Sequence, residues 1–303
     1  MFDKSKMQKL AQDFRVASGK SFRLKDFNPG HAAEGISKEE GQEMLKESSQ
    51  LISDLQEKLY AQSQWALLLI FQAMDAGGKD GTIKHVMSGI NPQGCQVFSF
   101  KQPSLEELNH DFLWRTMRAM PERGKIGIFN RSYYEEVLVI RVHKDLLAKQ
   151  NLPPHLVTEK IWQERFEDIS ALERYLGRNG IVVRKFFLNM SKEEQKKRFL
   201  SRLDQPEKNW KFSDSDVRER KYWNDYMEAY EDTIKNTSSS NAPWYIVPAD
   251  RKWLARLVVS SVIIETLESL HLSLPKIDAA RTSELQEARR SLEREEGASE
   301  KKK

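Results

Sequence analysis

Disulfides are excluded within this chain, because its 303 residues include one cysteine, Cys95. Long apolar runs are missing too. None reaches the roughly 20 residues that a membrane-spanning helix needs. The opening stretch MFDKSKMQKL has no apolar leader core. A reducing, cytoplasmic setting without a membrane partner is the expectation. An excess of one charge is also lacking. Lys and Arg number 49 against 45 Asp and Glu, a net +4, so bulk charge does not argue for a nucleic-acid partner. Any anion site must come from local clustering. No internal repeat is visible, so one copy of the domain is expected. What remains is a soluble globular profile, 31% charged and 10% aromatic. The length suits one large domain or two small ones. Cys95, beside Gly94 and ahead of Val97-Phe98, is expected to be a small buried residue.

The chain is organised around WALLLIFQAMDAGGKDGTIKH, residues 65–85. Trp65 to Phe71 is apolar without alternation, which predicts a strand buried on both faces. It runs into Asp75-Ala76-Gly77-Gly78-Lys79-Asp80-Gly81-Thr82, after which Ile83, Val86 and Met87 recur at helical spacing. Strand, glycine-rich turn, lysine and helix make a phosphate-binding arrangement. The glycines let backbone N–H groups face an anion, and the helix N-terminus adds partial positive charge. Ala73 stands where the usual first glycine belongs, and Asp80 where a Ser or Thr usually follows the lysine. Asp75 would repel a phosphate unless magnesium sits between them.

Four further strands are expected: Cys95–Phe100, Lys125–Asn130, Gly180–Leu188 and Trp244–Val247. Helical patterns separate them over 111–120, 133–149, 155–176, 191–236 and 251–271. Before the first strand, Ser37-Lys-Glu-Glu40 is a capping box that opens a helix through Leu59. Residues 1–37 read as an extended N-terminal arm, 38–275 as the main domain, and 276–303 as a charged tail forming a solvated helix that frays. Five strands alternating with helices predict an open parallel α/β sheet. Its ligands belong beyond the carboxyl ends of the strands, which selects the loop at 75–81, Lys101, Asn130-Arg131-Ser132, Asn189 and Asp250.

In Phe129-Asn130-Arg131-Ser132-Tyr133-Tyr134-Glu135-Glu136, Asn130 occupies the place where an aspartate commonly orders a metal's water shell. Arg131 can fork onto phosphoryl oxygens. The plainer alternative is a helix start, capped by Asn130 or Ser132, with both glutamates favouring the N-terminal dipole. Further on, residues 191–223 carry Arg198, Arg202 and Lys211 among many other cations. Two helices joined by a short basic loop read as a lid over phosphates. A solvated face paired with Glu193, Glu194, Asp216 and Glu219 is the alternative. Trp223, Tyr226, Met227, Tyr230 and Ile234 form an apolar stripe read as core.

Together these stretches resemble the type-2 polyphosphate kinase family. Met74–Gly81 is similar to its Asp-Ala-x-Gly-Lys-x-Gly signature. Residues 129–134 are similar to its second motif, and Ser191–Phe199 to the start of its lid. The resemblance spans about 35–270. It implies a P-loop, thymidylate-kinase-like fold: a five-stranded parallel sheet covered by helices, with a helical lid at about 191–223. It implies phosphate transfer between inorganic polyphosphate and adenine or guanine nucleotides with magnesium, or manganese in its stead. Asp75 is implied to hold the metal or activate the attacking phosphate, Lys79 to hold transferring phosphates, and Arg131 and Arg198 to contact the phosphate in flight. Ala76, Gly77, Gly78, Asp80, Gly81, Thr82, Asn130, Ser132, Glu135, Arg202 and Lys211 are the implied nucleotide- and phosphate-binding residues. Many members carry Asp and Asn where this chain has Asn130 and Glu135. The Asn/Glu pair resembles the branch acting on both AMP and ADP, and a single domain copy argues against the duplicated AMP-only branch. A homo-oligomer, dimer or tetramer, is implied as well.

Two other readings compete. An ATP-dependent nucleoside or nucleoside-monophosphate kinase would share the fold, but should show the standard loop residues that Ala73 and Asp80 replace. A polyanion-binding module without chemistry should have lost Asp75 or Lys79, and both are present.

Overall fold

The computed structural model describes residues 3–300, and within them every side chain except those of 208, 211 and 294–300. In chain order it runs α1 (Lys4–Asp13), β1 (Arg15–Val16), α2 (Lys38–Gln62), β2 (Ala66–Gln72), α3 (Lys79–Val86) and β3 (Cys95–Ser99). Two single-turn helices follow, α4 (Leu105–Leu108) and α5 (Trp114–Met117), then β4 (Ile126–Asn130), α6 (Val139–Val142), α7 (Ile161–Arg178) and β5 (Ile181–Asn189). The last elements of this unit are α8 (Lys192–Leu203), α9 (Asp214–Glu219), α10 (Trp223–Thr237), β6 (Trp244–Pro248) and α11 (Lys252–Ser269). Residues 273–303 form a separate unit. It holds α12 (Ala279–Glu300), whose described side chains are all exposed.

The sheet order is β1-β6-β5-β2-β4-β3. β2 to β6 are parallel. The expected five strands are thus joined by a sixth, the two-residue β1, antiparallel to β6 through Arg15–Tyr245 and Val16–Trp244. β2 lies at the centre, and every one of its seven residues is buried. Leu67, Leu69 and Phe71 enter one core, with side chains from α1, α2 and α11. Leu68 and Ile70 enter the other, with Phe166 and Ile169 of α7 and Tyr230 and Ile234 of α10. A strand with a core on each side must be apolar at every position, which is why Trp65–Phe71 shows no alternation.

The expected arm opens with a helix, α1, rather than extended chain. Met7, Leu10, Ala11 and Phe14 recur at helical spacing, and all four are buried. Ser37 caps α2 by accepting from the Glu40 amide at 3.1 Å, but the capping box is half made. The Glu40 carboxylate instead takes Lys6 Nζ at 2.6 Å, tying α2 to α1. Between β3 and β4, and again over 133–160, short turns and one-turn helices replace the longer helices expected. Cys95 is half-buried on the edge strand β3. Among the described residues, no helix is long and apolar enough to cross a membrane.

Candidate active site

The chain from β2 goes to β3 by passing over β4, and from β4 to β5 by crossing β2. The order therefore reverses at β2, and its carboxyl end is the switch point where such sheets bind ligands. The loop 73–78 occupies that end and leads into α3. Its left-handed residues are Ala76, at φ 61°, and Gly78, at φ 95°. A non-glycine residue in this region costs about 1 kcal/mol or more and persists only where its surroundings fix it. Gly77 has a different reason to lack a side chain: a Cβ there would lie 2.6 Å from the Ala73 Cβ and 2.8 Å from the Met74 carbonyl oxygen. Ala73 thus fits where a glycine is usual, because the open space is supplied across the turn by Gly77.

Lys79, the first residue of α3, is buried and donates to the Ala73 carbonyl at 2.6 Å, spanning the loop mouth. Burial, then the nearby Arg131 charge, push its ammonium down to about 8. Asp75 faces Arg131, whose guanidinium donates to Asp75 Oδ1 at 3.1 Å and to Glu135 Oε2 at 3.4 Å. Glu135, then burial and Asp75, set the balance on Arg131, and its pKa rises. Arg131 is itself left-handed, at φ 65°, just past β4. Its amide donates to the Phe71 carbonyl at 3.0 Å, which holds the turn against β2. With its amide turned to satisfy both ends, Gln72 donates to Glu135 Oε1 at 2.9 Å and accepts from Ser132 Oγ at 3.1 Å. The last residue of the central strand thereby aims the second motif.

Asn130 donates to Asp80 Oδ1 at 2.7 Å, linking the end of β4 to the start of α3. Ser132 is fully buried, and its hydroxyl accepts from the Tyr134 amide at 3.1 Å. It serves as the cap of the 133–136 turn. Thr82 is buried inside α3, whereas Asp80 and Gly81 are exposed on it. Tyr133 and Tyr134 are anchored below the site. Both hydroxyls donate to Glu173 Oε1, at 3.0 and 2.7 Å. The other oxygen of Glu173 takes the fully buried Lys185 at 2.6 Å.

The segment 191–223 covers the loop from one side. Arg198 does not project into open space. It donates to the Ala76 carbonyl at 3.1 Å, to Glu194 at 2.8 Å and to the carbonyls of Ala249 and Asp250. Arg202 pairs with Asp216 across the two lid helices at 3.5 Å. Burial and the nearby Asp75 carboxylate push the Asp216 carboxyl up. The Lys211 side chain lies outside the described residues. Beside Asp75 is a cavity of about 350 Å³. Among the residues lining it are Asp75, Arg131, Glu135, Leu138, Val139, His143, Glu219, Tyr226 and Tyr230. Tyr226 and Tyr230 are core residues, as their stripe suggests, and also face this cavity.

The arrangement pairs a phosphate loop with a cavity, and a carboxylate–guanidinium cluster stands between them. A family model described as Polyphosphate kinase 2 (PPK2) matches residues 35–274. The chain belongs to the polyphosphate kinase 2 family. It is 54% identical over 287 residues to an ADP-polyphosphate phosphotransferase of Rhodopseudomonas palustris, a match covering 94% of this chain and 99% of that one. It is 44% identical over 269 residues to an AMP/ADP-polyphosphate phosphotransferase of Meiothermus ruber, covering 88% and 96%. The crystal structure of polyphosphate kinase 2 from Arthrobacter aurescens TC1 aligns at TM-score 0.83 and 39% identity, over 92% of this chain and 96% of that one.

At this candidate site, Asp75, Lys79, Asn130, Arg131 and Glu135 converge. Arg198 joins through the loop backbone, and Ser132 and Thr82 lie beneath. Sequence reasoning gave no site role to Gln72, Gln195, Arg220 or the cavity pair His143 and Glu219. Gln72 carried a faint signal as a polar residue ending the apolar β2, and Gln195 falls at helical spacing on one face with Arg198 and Arg202. His143 and Glu219, 2.9 Å apart, come from segments far apart in the chain and share no motif.

Proposed function

We propose that this polyphosphate kinase 2 moves a phosphoryl group reversibly between inorganic polyphosphate and AMP or ADP, with magnesium on the phosphates. The observation that carries this reading is the Asp75–Arg131–Glu135 cluster set between the lysine-bearing loop and the aromatic cavity. Phosphates of the polymer would lie on the loop N–H groups and Lys79. The acceptor nucleoside would fill the cavity against Tyr226 and Tyr230, presenting its terminal phosphate at Arg131. The acceptor oxygen bonds to the terminal phosphorus of the polymer as the P–O bond to the next phosphate breaks, and the shortened polymer leaves as an anion. The attacking oxygen is already anionic at neutral pH, so positioning and charge neutralisation are the tasks left to the protein. Arg131 can leave its carboxylates to spread onto phosphoryl oxygens, and Lys79 can exchange the Ala73 carbonyl for one.

The donor set suits magnesium. Among the described residues there is no group of three or more His, Cys, Asp or Glu able to cage a metal. Asp75 offers one carboxylate, 30% exposed, at the loop. Magnesium keeps much of its water and binds through one or two carboxylates plus substrate phosphates, so Asp75 would hold it. Manganese would accept the same oxygens. When bound, the ion neutralises charge on the phosphate oxygens.

Use of AMP as well as ADP is supported by the Asn130/Glu135 pair, which resembles that of the branch acting on both, and by the name of the Meiothermus ruber relative, an AMP/ADP-polyphosphate phosphotransferase. A cytoplasmic homo-oligomer, dimer or tetramer, completes the proposal. The exposed Val97 on the edge strand β3 is consistent with self-association, and light scattering on purified protein tests it. Phosphorus NMR with magnesium and polyphosphate tests the acceptor. Growth of β- and γ-phosphate signals from AMP is expected, and signals from ADP alone would overturn the dual-acceptor reading.

A further inference from the structure

The turn Asp75–Ala76 is gripped from one side. Gln195 Nε2 donates to the Asp75 carbonyl at 2.9 Å, and Arg198, one helical turn further along α8, donates to the Ala76 carbonyl at 3.1 Å. Holding two consecutive carbonyls toward α8 fixes the path of the turn, whose Gly77 N–H donates to the Met74 carbonyl at 3.0 Å. It also fixes the left-handed Ala76, which no glycine makes easy. Gln195 is 1% exposed, and both ends of its amide are used. Its Oε1 accepts from Arg220 at 2.6 Å, and the same guanidinium donates to the Lys192 carbonyl at 3.1 Å. Arg220 begins the 3₁₀ turn 220–222 at the far end of the lid segment, next to Glu219 on the cavity wall. One buried side chain therefore touches the backbone of the central acid and the end of the lid.

We infer that Gln195 is a positioning residue that sets the Asp75–Ala76 peptide and, through Arg220, ties it to the seating of the lid. A lid displaced at Arg220 releases Gln195, and the peptide that aims the Asp75 carboxylate loses its restraint. The inference rests on the reading of Asp75 as an active-site acid, so Asp75→Asn is measured in parallel.

The test uses the full chain with magnesium, polyphosphate and ADP, and separates kcat from KM. Gln195→Met removes both contacts. Gln195→Glu keeps the size and the Arg220 partner but sets an oxygen against the Asp75 carbonyl, and it serves if Gln195→Met does not fold. Misplacement of this kind is expected to lower kcat roughly 10- to 100-fold while both KM values move less than about threefold. Hydrogen exchange over 74–82 should quicken in both variants, with protection of α7 and α10 unchanged. Arg220→Met should lower kcat by a smaller factor and add nothing in the Gln195→Met background. A kcat within about twofold of wild type in the folded Gln195 variants overturns the positioning role. Independent, multiplicative losses for Gln195→Met and Arg220→Met overturn the link to the lid. An active Asp75→Asn protein would instead overturn the proposed function.

Discussion

Replacing Asp75 by Asn separates stability from catalysis. Asp75 Oδ1 lies 3.1 Å from Arg131, but the two side chains are 30% and 41% exposed. Water screens such a pair, so its loss should cost about 0.2–1 kcal/mol. For a chain of this size that corresponds to about 2 °C in Tm. Asparagine keeps an oxygen for Arg131, and Glu135 still neutralises the guanidinium, which lowers the cost further. Turnover should respond very differently. Removing a preorganised group aimed at developing charge lowers kcat on the order of 10²–10³-fold, about 3–4 kcal/mol. Coupled luminescence detection of ATP formed from ADP and polyphosphate gives kcat, and calorimetry gives Tm on the same preparation. A kcat within about tenfold of wild type would refute the role given to Asp75. So would a Tm loss above about 5 °C with kcat falling only as the folded fraction falls.

Lys79, held down to about 8 by burial and then by Arg131, is charged below that pH and neutral above it. Polyphosphate affinity, read by competition with a fluorescent polyanion, should fall as pH rises through about 8, and a flat profile to pH 9.5 would contradict this. The same depressed value means that charging Lys79 costs folding stability below about 8, a cost relieved between there and its ordinary 10.5. Gly77→Ala places a Cβ against Ala73 and Met74. Most turnover should disappear while denaturant unfolding shifts by only about 1–2 kcal/mol. Lys185→Met strands Glu173 in the core with its two tyrosines. Urea unfolding should show a loss of about 3–5 kcal/mol, and a neutral result would mean that the carboxylate is satisfied without the lysine. Added salt should weaken polyphosphate binding steeply, as it does for other polyanions whose counterions are released.

β2, β4 and β6 were legible because each is an apolar run bounded by turn residues, the pattern that burial on both faces demands, whereas β5 interrupts its run with Arg184 and Lys185 and the edge strand β3 is only partly buried. The edge pairing of Arg15 and Val16 was not, since two residues cannot display a period. The N-terminal helix did carry its signal, in Met7, Leu10, Ala11 and Phe14, but interleaved Lys and Asp made the segment look like an arm. The phosphate loop and Asn130-Arg131 were readable because strand, turn and helix fall in a fixed local order. Gln195, Arg220 and the cavity walls were not, because their meaning lies in contacts between distant segments. Glu135 and Arg131 stood close in sequence, yet only the turn of β4 against β2 shows that Gln72 aims one of them.

The pairing of β1 with β6 and of Lys4 with Glu268 on α11 governs how the protein is born. Synthesis is vectorial, so α1 leaves the ribosome with its apolar stripe bare and waits for its partners at the other end of the unit. The sheet can assemble around β2 in the meantime, but α1 has no partner helix until α11 is made. α1 and β1 are thus made before the elements that secure them, and their removal would uncover a strand edge of β6.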